Sequence, residues 1–332
     1  MKLAALVEAE DHVCCRYRLA AFRTHLAAAG HSLELHPISK SWFGRLSLGR
    51  VEADAVILQR KLLPQVPLAL LRRRVKRLIF DFDDAVWLRD SYSAKGFEDS
   101  RRARRFQRTL RSCDLVVAGN EVLATEAKQS ASQVVVIPTC VDAARLRVRS
   151  GREAASGLQL VWVGSSSTLR GLEQFTPTLS AIGRAVPNVR LKIICDRFID
   201  ISDLPVDRCT WNEGTESDEI ASADIGIGWV PDDPWSRGKC GLKVLQYQAA
   251  GLPVVANPVG VQADFVRSGI TGFQASTTEQ WVKAIRDLAA DANLRQTMGD
   301  AGRWQVVEKY SVAAGAAQWI EALKSFEKSQ AA

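Results

Sequence analysis

Three groups of residues carry side chains able to act on an anionic or hydroxylated substrate. Lys239, Lys243 and Gln246 recur at i, i+4 and i+7 within 238–260. On a helix they would share one polar, cationic face near its start. With Arg237 and Gly238 just before it, such a start suits an anion such as a diphosphate, because its first amides lack partners and its dipole favours negative charge. A solvated basic face is the plainer reading of the same spacing. Val244, Leu245 and Ala249 would cover the opposite side, and Gly251-Leu252-Pro253 stops the helix ahead of the strand-like Val254-Val255-Ala256.

The second group is Gly164-Ser165-Ser166-Ser167, between an apolar run at 158–163 and a helix predicted from Thr168. Backbone amides and hydroxyls there could hold phosphate oxygens, or they could only cap the helix. Arg170 lies a few residues further on.

The third group is Asp81-Phe82-Asp83-Asp84, which ends a predicted strand. Its carboxylates could hold a divalent ion against a diphosphate. They could instead lie at a strand end facing a substrate crevice, where Asp83 or Asp84 would orient a hydroxyl or take its proton. A polar turn with Asp caps is the third reading. The tandem architecture below disfavours the first, and no metal is expected. Asn120 follows another strand end and is expected in the same crevice. Of the four histidines, only His12 falls in the loop after the first strand, where it would be either a crevice residue or an ordinary surface one. Arg16 and Arg18, expected at the start of the first helix, are candidates for an anionic group, although cations there oppose the helix dipole unless something binds them.

These residues need elements to hold them. Short apolar runs at 2–7, 32–37, 55–59, 77–80, 115–118 and 134–137 read as strands. Helical spacing appears at Leu19, Phe22, Leu26 and Ala29, over 66–75, from Ala103 onward and over 121–129. A polar stretch at 142–157 reads as a linker. A second series follows, with strands at 158–163, 189–194, 209–211, 224–229 and 253–256 and helices from 277 onward. Strands alternating with helices imply mostly parallel sheets, and two Rossmann-like halves in tandem are expected: 1–145, and 158–310 with the nucleotide site. The opening βα turn lacks the glycine-rich dinucleotide fingerprint, so hydride transfer is not expected.

Composition sets wider bounds. The 332 residues are 47% hydrophobic and 24% charged, which suits a globular chain of about two domains. Neither an apolar run of membrane-spanning length nor a secretory signal is seen, so a cytoplasmic location is expected. Seven cysteines without paired or metal-ligand spacing read as reduced thiols. The net charge of +7 is concentrated in 72–77 and 101–111. The second of these is an amphipathic arginine helix, either lying against anionic lipid at the inner face of a membrane or simply solvated. No nucleic-acid-binding module is recognisable.

The 238–260 stretch resembles the donor-site helix of the GT-B glycosyltransferases, specifically family 4 (glycosyl transferases group 1), with its glycine-containing loop, helix and small-Gly-Leu-Pro-Val-Val turn. Ala223-Asp224-Ile225-Gly226-Ile227, Pro231, Val259-Gly260, Thr271-Gly272-Phe273 and Trp281 fall at comparable places. The resemblance implies a GT-B fold, with two Rossmann-like domains whose parallel sheets face a central cleft and a last helix, 311–332, crossing back to the first domain. It also implies a metal-independent, retaining hexosyltransferase without a cofactor, of the kind that builds cell-envelope polysaccharide. A nucleotide sugar would be bound by Gly164, Ser165, Ser166, Arg170, Lys239, Gly241, Leu242, Lys243 and Gln246. Asp83, Asp84 and Lys243 would be catalytic, and a glycan, lipid-linked or small-molecule acceptor would lie near His12, Arg16, Arg18 and Asn120. Many family members carry two glutamates eight positions apart; Gly238 and Gln246 stand there in this chain. Gln246 can still bond a ribose hydroxyl, and Lys239 or Lys243 would replace the contact that Gly238 lacks. A catalytically degenerate nucleotide-binding or interaction protein is the alternative, and a sugar-nucleotide epimerase ranks below it.

Overall fold

The computed structural model of the protein describes residues 1–38, 52–149 and 157–328. Residues 39–51, which include Trp42 and Phe43, and residues 150–156 of the polar stretch lie outside them. The chain forms two compact units: Met1–Cys140 with Asp233–Cys240 and Val312–Ala332, and Val141–Asp232 with Gly241–Ser311.

In the first unit the short apolar runs become six strands, β1 (Lys2–Val7), β2 (Ser32–Pro37), β3 (Ala55–Gln59), β4 (Leu78–Phe82), β5 (Leu115–Ala118) and β6 (Val134–Val136). They form one parallel sheet in the order β2-β1-β3-β4-β5-β6. β1, β3, β4 and β5 are apolar at nearly every position because both of their faces are covered. The alternation of side chains along β1 shows this. Leu3, Ala5 and Val7 enter one core layer with Phe22 and Leu26, while Ala4 and Leu6 enter the other with Leu68, Phe80 and Phe106.

Around the sheet lie α1 (Val13–Arg18), α2 (Arg23–Ala28), α3 (Gln65–Arg74), α4 (Ser100–Ser112) and α5 (Glu121–Lys128). The single helix expected through Leu19, Phe22, Leu26 and Ala29 is instead broken: α1 ends at Arg18, and a 3-10 turn at Ala20–Phe22 leads into α2. Leu19 leaves helical geometry at φ −133°, yet Leu19, Phe22 and Leu26 all remain buried, so the apolar spacing survives the break.

The second unit repeats the plan with β7 (Leu158–Val163), β8 (Val189–Cys195), β9 (Val206–Thr210), β10 (Ile225–Gly228), β11 (Val254–Ala256) and β12 (Gly272–Gln274), in the order β12-β11-β10-β7-β8-β9. All five pairings are parallel. The three-residue edge strand β12 has no apolar run to betray it. The helices of this part of the chain are α6 (Ser166–Ala185), α7 (Glu216–Ala221), α8 (Pro234–Arg237), α9 (Leu242–Ala249), α10 (Gln262–Phe265), α11 (Thr278–Ala290) and α12 (Ala292–Lys309). The last helix, α13 (Val312–Lys328), belongs to the first unit, into whose core it sends Val312, Ala316, Trp319 and Leu323. That spacing keeps one helical face on the sheet.

Two boundaries differ from the sequence expectation. α8 and the residues up to Cys240 group with the first unit, not with the 158–310 domain. The expected helix carrying Lys239, Lys243 and Gln246 starts only at Leu242, because Gly241 takes the left-handed conformation at φ 63° and ends the approach from Gly238. Lys239 therefore does not share the helix face.

Candidate functional site

In the second unit the strand order reverses between β7 and β10, and in open α/β sheets ligands bind beyond the carboxyl ends of the strands at such a point. The turn after β7 holds Gly164, Ser165 and Ser166. α9 is fixed beside it by Tyr247, a fully buried ring whose hydroxyl accepts a hydrogen bond from Val163 N at 2.9 Å. Gly226 makes room for that ring, since any Cβ there would run into it.

With Tyr247 anchored, Lys243 stands in the first turn of α9, its Nζ 4.0 Å from the centroid of the Trp162 ring and 3.4 Å from Thr168 Oγ1. An ammonium on an aromatic face keeps its charge while losing conformational freedom. The structure thus brings Lys243 to the serine turn, as a diphosphate site would require.

The serine turn itself also serves its helix. Thr168 Oγ1 accepts from Ser165 N at 3.2 Å, and Asp196 accepts from Ser166 N at 2.6 Å. The bond from Ser166 holds the Asp196 carboxyl below its usual range. That carboxylate takes an amide a phosphate could have used. Arg170 is exposed on the second turn of α6, and Leu242 opens α9.

Gln246 is buried on α9, where its Nε2 donates to Glu216 Oε2 at 3.1 Å. Trp211 Nε1 donates to the other oxygen, Oε1, at 2.7 Å. Sequence reasoning missed Glu216, Trp211, Trp162 and Tyr247. Their spacing announces nothing, since Trp162 and Tyr247 look only like core residues.

The first unit collects the Asp81-Phe82-Asp83-Asp84 turn at the ends of β3 and β4. Asp81 is wholly buried against Arg18, whose Nε lies 3.1 Å from both carboxylate oxygens and whose Nη2 lies 2.5 Å from Oδ1. Arg18 Nη1 donates to Ile137 O at 3.0 Å, and Gln59 Nε2 donates to Asp81 at 3.3 Å. Arg18 is therefore corrected from an acceptor-side residue to half of a buried ion pair, closed to an external anion. Arg16 and Arg18 also lie in the last turn of α1 rather than its first, where their charge complements the dipole. Arg16 lies 5.5 Å from the Tyr17 ring centroid.

Asp83 and Asp84 share Arg60, another residue the sequence reading missed. Its Nη1 donates to Asp83 at 2.9 Å and its Nη2 to Asp84 at 2.7 Å. Arg60 sits directly after β3 at φ 56°, a conformation that costs a non-glycine residue about 1–3 kcal/mol and persists where its surroundings hold it. Burial pushes the Asp84 carboxyl up to about 6, with Arg60 and Lys239 working the other way. The carboxylates of this turn thus face arginines, and among the described residues no cluster of acidic, histidine and cysteine side chains has the makings of a metal site.

Asn120 is likewise corrected. Rather than pointing at an acceptor, it is buried, caps α5 through Leu123 N at 2.9 Å, and donates to Gly238 O at 3.0 Å and Lys239 O at 3.2 Å. It ties the 233–240 segment to the first unit. Gly238 fits there because a Cβ would press on Ala85 and Leu123 at 3.1 Å. His12 caps α1, its Nδ1 accepting from Cys14 N at 3.3 Å.

The family described as "Glycosyl transferases group 1" matches residues 234–305, the segment that carries Lys239, Lys243 and Gln246. A sucrose synthase from Melioribacter roseus is 34% identical over 77 residues, which are 21% of this chain and 10% of that protein. Among solved structures, sucrose-phosphate synthase from Thermosynechococcus elongatus superposes with a TM-score of 0.76 at 15% identity, over 99% of this chain and 100% of the other. A glycosyltransferase from Rickettsia africae gives 0.71 at 14% identity over 98% of each chain. Anabaena HepE in complex with UDP and glucose gives 0.66 at 16% identity, over 98% of this chain and 100% of the other. The chain has the fold of the GT-B glycosyltransferases along nearly its whole length, and carries the glycosyl transferases group 1 pattern in the part that holds Lys243.

Proposed function

We propose that the protein transfers a hexosyl group from a nucleotide sugar to an acceptor hydroxyl, with retention and without a metal ion. The observation that carries this reading is Lys243, held by Trp162 and Thr168 beside the β7 turn of the second unit and inside the segment that matches the family. A fixed cation there stabilises the charge that builds on a departing diphosphate. Uridine is the first nucleobase to test, because HepE is described in complex with UDP and with UDP-glucose.

In this reading Lys243 neutralises the leaving group, and Gly164, Ser165, Ser166, Arg170, Gly241 and Leu242 shape the space around it. Asp83 or Asp84 takes the acceptor proton, with Arg60 positioning both. Lys239 lies near enough to Asp84 to oppose its upward shift, so its place is with that carboxylate. A lipid-linked acceptor suits the exposed arginines Arg101, Arg104, Arg108 and Arg111 of α4, which would meet anionic headgroups. Binding to vesicles containing phosphatidylglycerol that falls steeply with salt would support that contact, and equal binding to neutral vesicles would dismiss it.

The donor reading is tested by calorimetric titration with UDP, GDP and ADP, followed by donor turnover with the matching hexose conjugates. Saturable binding of one diphosphate with sugar release is the expected result. Binding without any release, even of donor hydrolysis products, would instead favour a catalytically silent nucleotide-binding protein, the reading suggested by Gly238 and Gln246 in place of glutamates. No binding at all would end the donor assignment.

A further inference from the structure

We propose that Glu216 is the carboxylate that grips the ribose hydroxyls of the donor nucleotide, with Gln246 and Trp211 as its positioning residues. The proposal rests on the donor reading above and deepens it.

Position along the donor is the first reason. Gln246 lies three residues after Lys243 on α9, so the two are neighbours on one helix surface, about 5–6 Å apart at Cβ. If Lys243 holds the phosphates, the sugar of the nucleoside is the next group along the ligand and the base lies one group further. What stands at Gln246, however, is not a free amide. Its Nε2 is given to Glu216 Oε2 at 3.1 Å, so the acceptor presented at that level is the Glu216 carboxylate.

The second reason is how this carboxylate is held. Asp200, Asp203, Asp207, Asp218, Glu219 and Asp224 of the same unit each face a lysine or arginine. Among the described residues Glu216 faces neither. One oxygen accepts from Gln246 Nε2 and the other from Trp211 Nε1 at 2.7 Å. Two neutral donors from separate elements fix the plane of the group without cancelling its charge. Each oxygen keeps a further lone pair, and the side chain is only half-buried.

A rigid, uncompensated carboxylate with one open acceptor site on each oxygen matches a pair of adjacent O–H donors. A ribose 2′,3′-diol offers that pair, whereas a phosphate in the same place would be repelled. The paired N–H donors of a guanine edge are the competing partner, and the placement one turn from Lys243 favours the sugar.

The test is a titration of wild-type protein, Glu216→Gln and Gln246→Ala with UDP, GDP and ADP, each against its 2′-deoxy counterpart. The readout is the ribo-to-deoxy affinity ratio within each protein, which cancels any loss of folded material. Wild type is expected to favour the ribonucleotide by about 10- to 100-fold, as for a hydroxyl bonded to a charged group. The ratio should fall to near one in Glu216→Gln and to an intermediate value in Gln246→Ala. An unchanged ratio in Glu216→Gln overturns the proposal, as does a wild type that binds both forms equally. A lost preference among bases with the ribo-to-deoxy ratio intact moves Glu216 to the base edge, which also overturns it. Failure of wild type to bind any of the six nucleotides removes the donor reading itself, a result distinguishable from all of these.

Discussion

Two clusters of charge, one in each unit, are held in different ways. At the ends of β3 and β4 in the first unit, Arg18 and Arg60 meet Asp81, Asp83 and Asp84, so acid and base answer each other inside the protein. Beside β7 and α9 in the second unit, Lys243 rests on an aromatic ring and Glu216 is held by an amide and an indole. A buried ion pair is costly to break but adds little net stability, and its charges are not on offer to a ligand. A carboxylate held only by neutral donors, as Glu216 is, keeps its field. The contrast is local to these two clusters: the charges at the ends of β3 and β4 mainly set geometry, with Asp84 the exception, whereas Glu216 stands apart from the ion pairs that its own unit forms elsewhere.

The contrast can be broken at its strongest point. Arg18→Met leaves Asp81 buried without its partner, and should destabilise the fold by about 3–5 kcal/mol, read as a shift in denaturation midpoint at constant m-value. A change within a few tenths of that unit would show that the pair is not what fixes the turn. On the other side, Lys243→Ala should leave the denaturation midpoint close to wild type while lowering transfer by about 100- to 1,000-fold, the range for losing one preorganised charge at a reacting centre. Unaltered transfer in that variant would remove Lys243 from the site.

Asp84 sharpens the comparison through pH. Its folded-state carboxyl lies near 6, against an ordinary value of 3.8. The folded chain therefore keeps a proton that the unfolded chain releases. Its contribution to stability is greatest below about pH 4 and declines as pH rises from 4 to 6. If the ionised form takes the acceptor proton, transfer should fall about tenfold per pH unit below 6 and level off above it. Asp84→Asn should abolish both slopes, and a pH profile unmoved by that change would make Asp84 a structural partner of Arg60 alone.

The smallest effect is expected at Gly241, whose left-handed φ of 63° starts α9 and whose Cβ would sit 2.8 Å from Phe265 and Val261. Gly241→Ala should cost about 1–2 kcal/mol from the backbone alone. Because it tilts the turn that presents Lys243, it should also weaken diphosphate binding; affinity equal to wild type would show that the helix start tolerates the strain.

Much of the architecture could be read from the chain. The runs Leu3–Val7, Ala55–Gln59, Leu115–Ala118 and Leu158–Val163 are apolar at nearly every position, which only a strand covered on both faces requires. The place of Lys243 in the first turn of a helix was legible because a Gly-Leu-Pro turn closes that helix. Less of the site was legible. Arg60 is one of two adjacent cations after Gln59, and Glu216 is one acid among several in a polar stretch, so no local pattern distinguishes either.

Read from near neighbours alone, the sequence determines strand and helix periods and the stop at Gly251. Which polar group meets which is settled by the tertiary fold instead. Arg18 and Asp81 are 63 residues apart and Glu216 and Gln246 are 30 apart, and the 233–240 segment leaves its neighbours in sequence to join the first unit through Asn120. Periodicity is a property of the local backbone and repeats every few residues. A charge pair, by contrast, exists only once parallel strands in register have brought distant strand ends to the same edge of a sheet, and nothing in the spacing of either partner encodes the other.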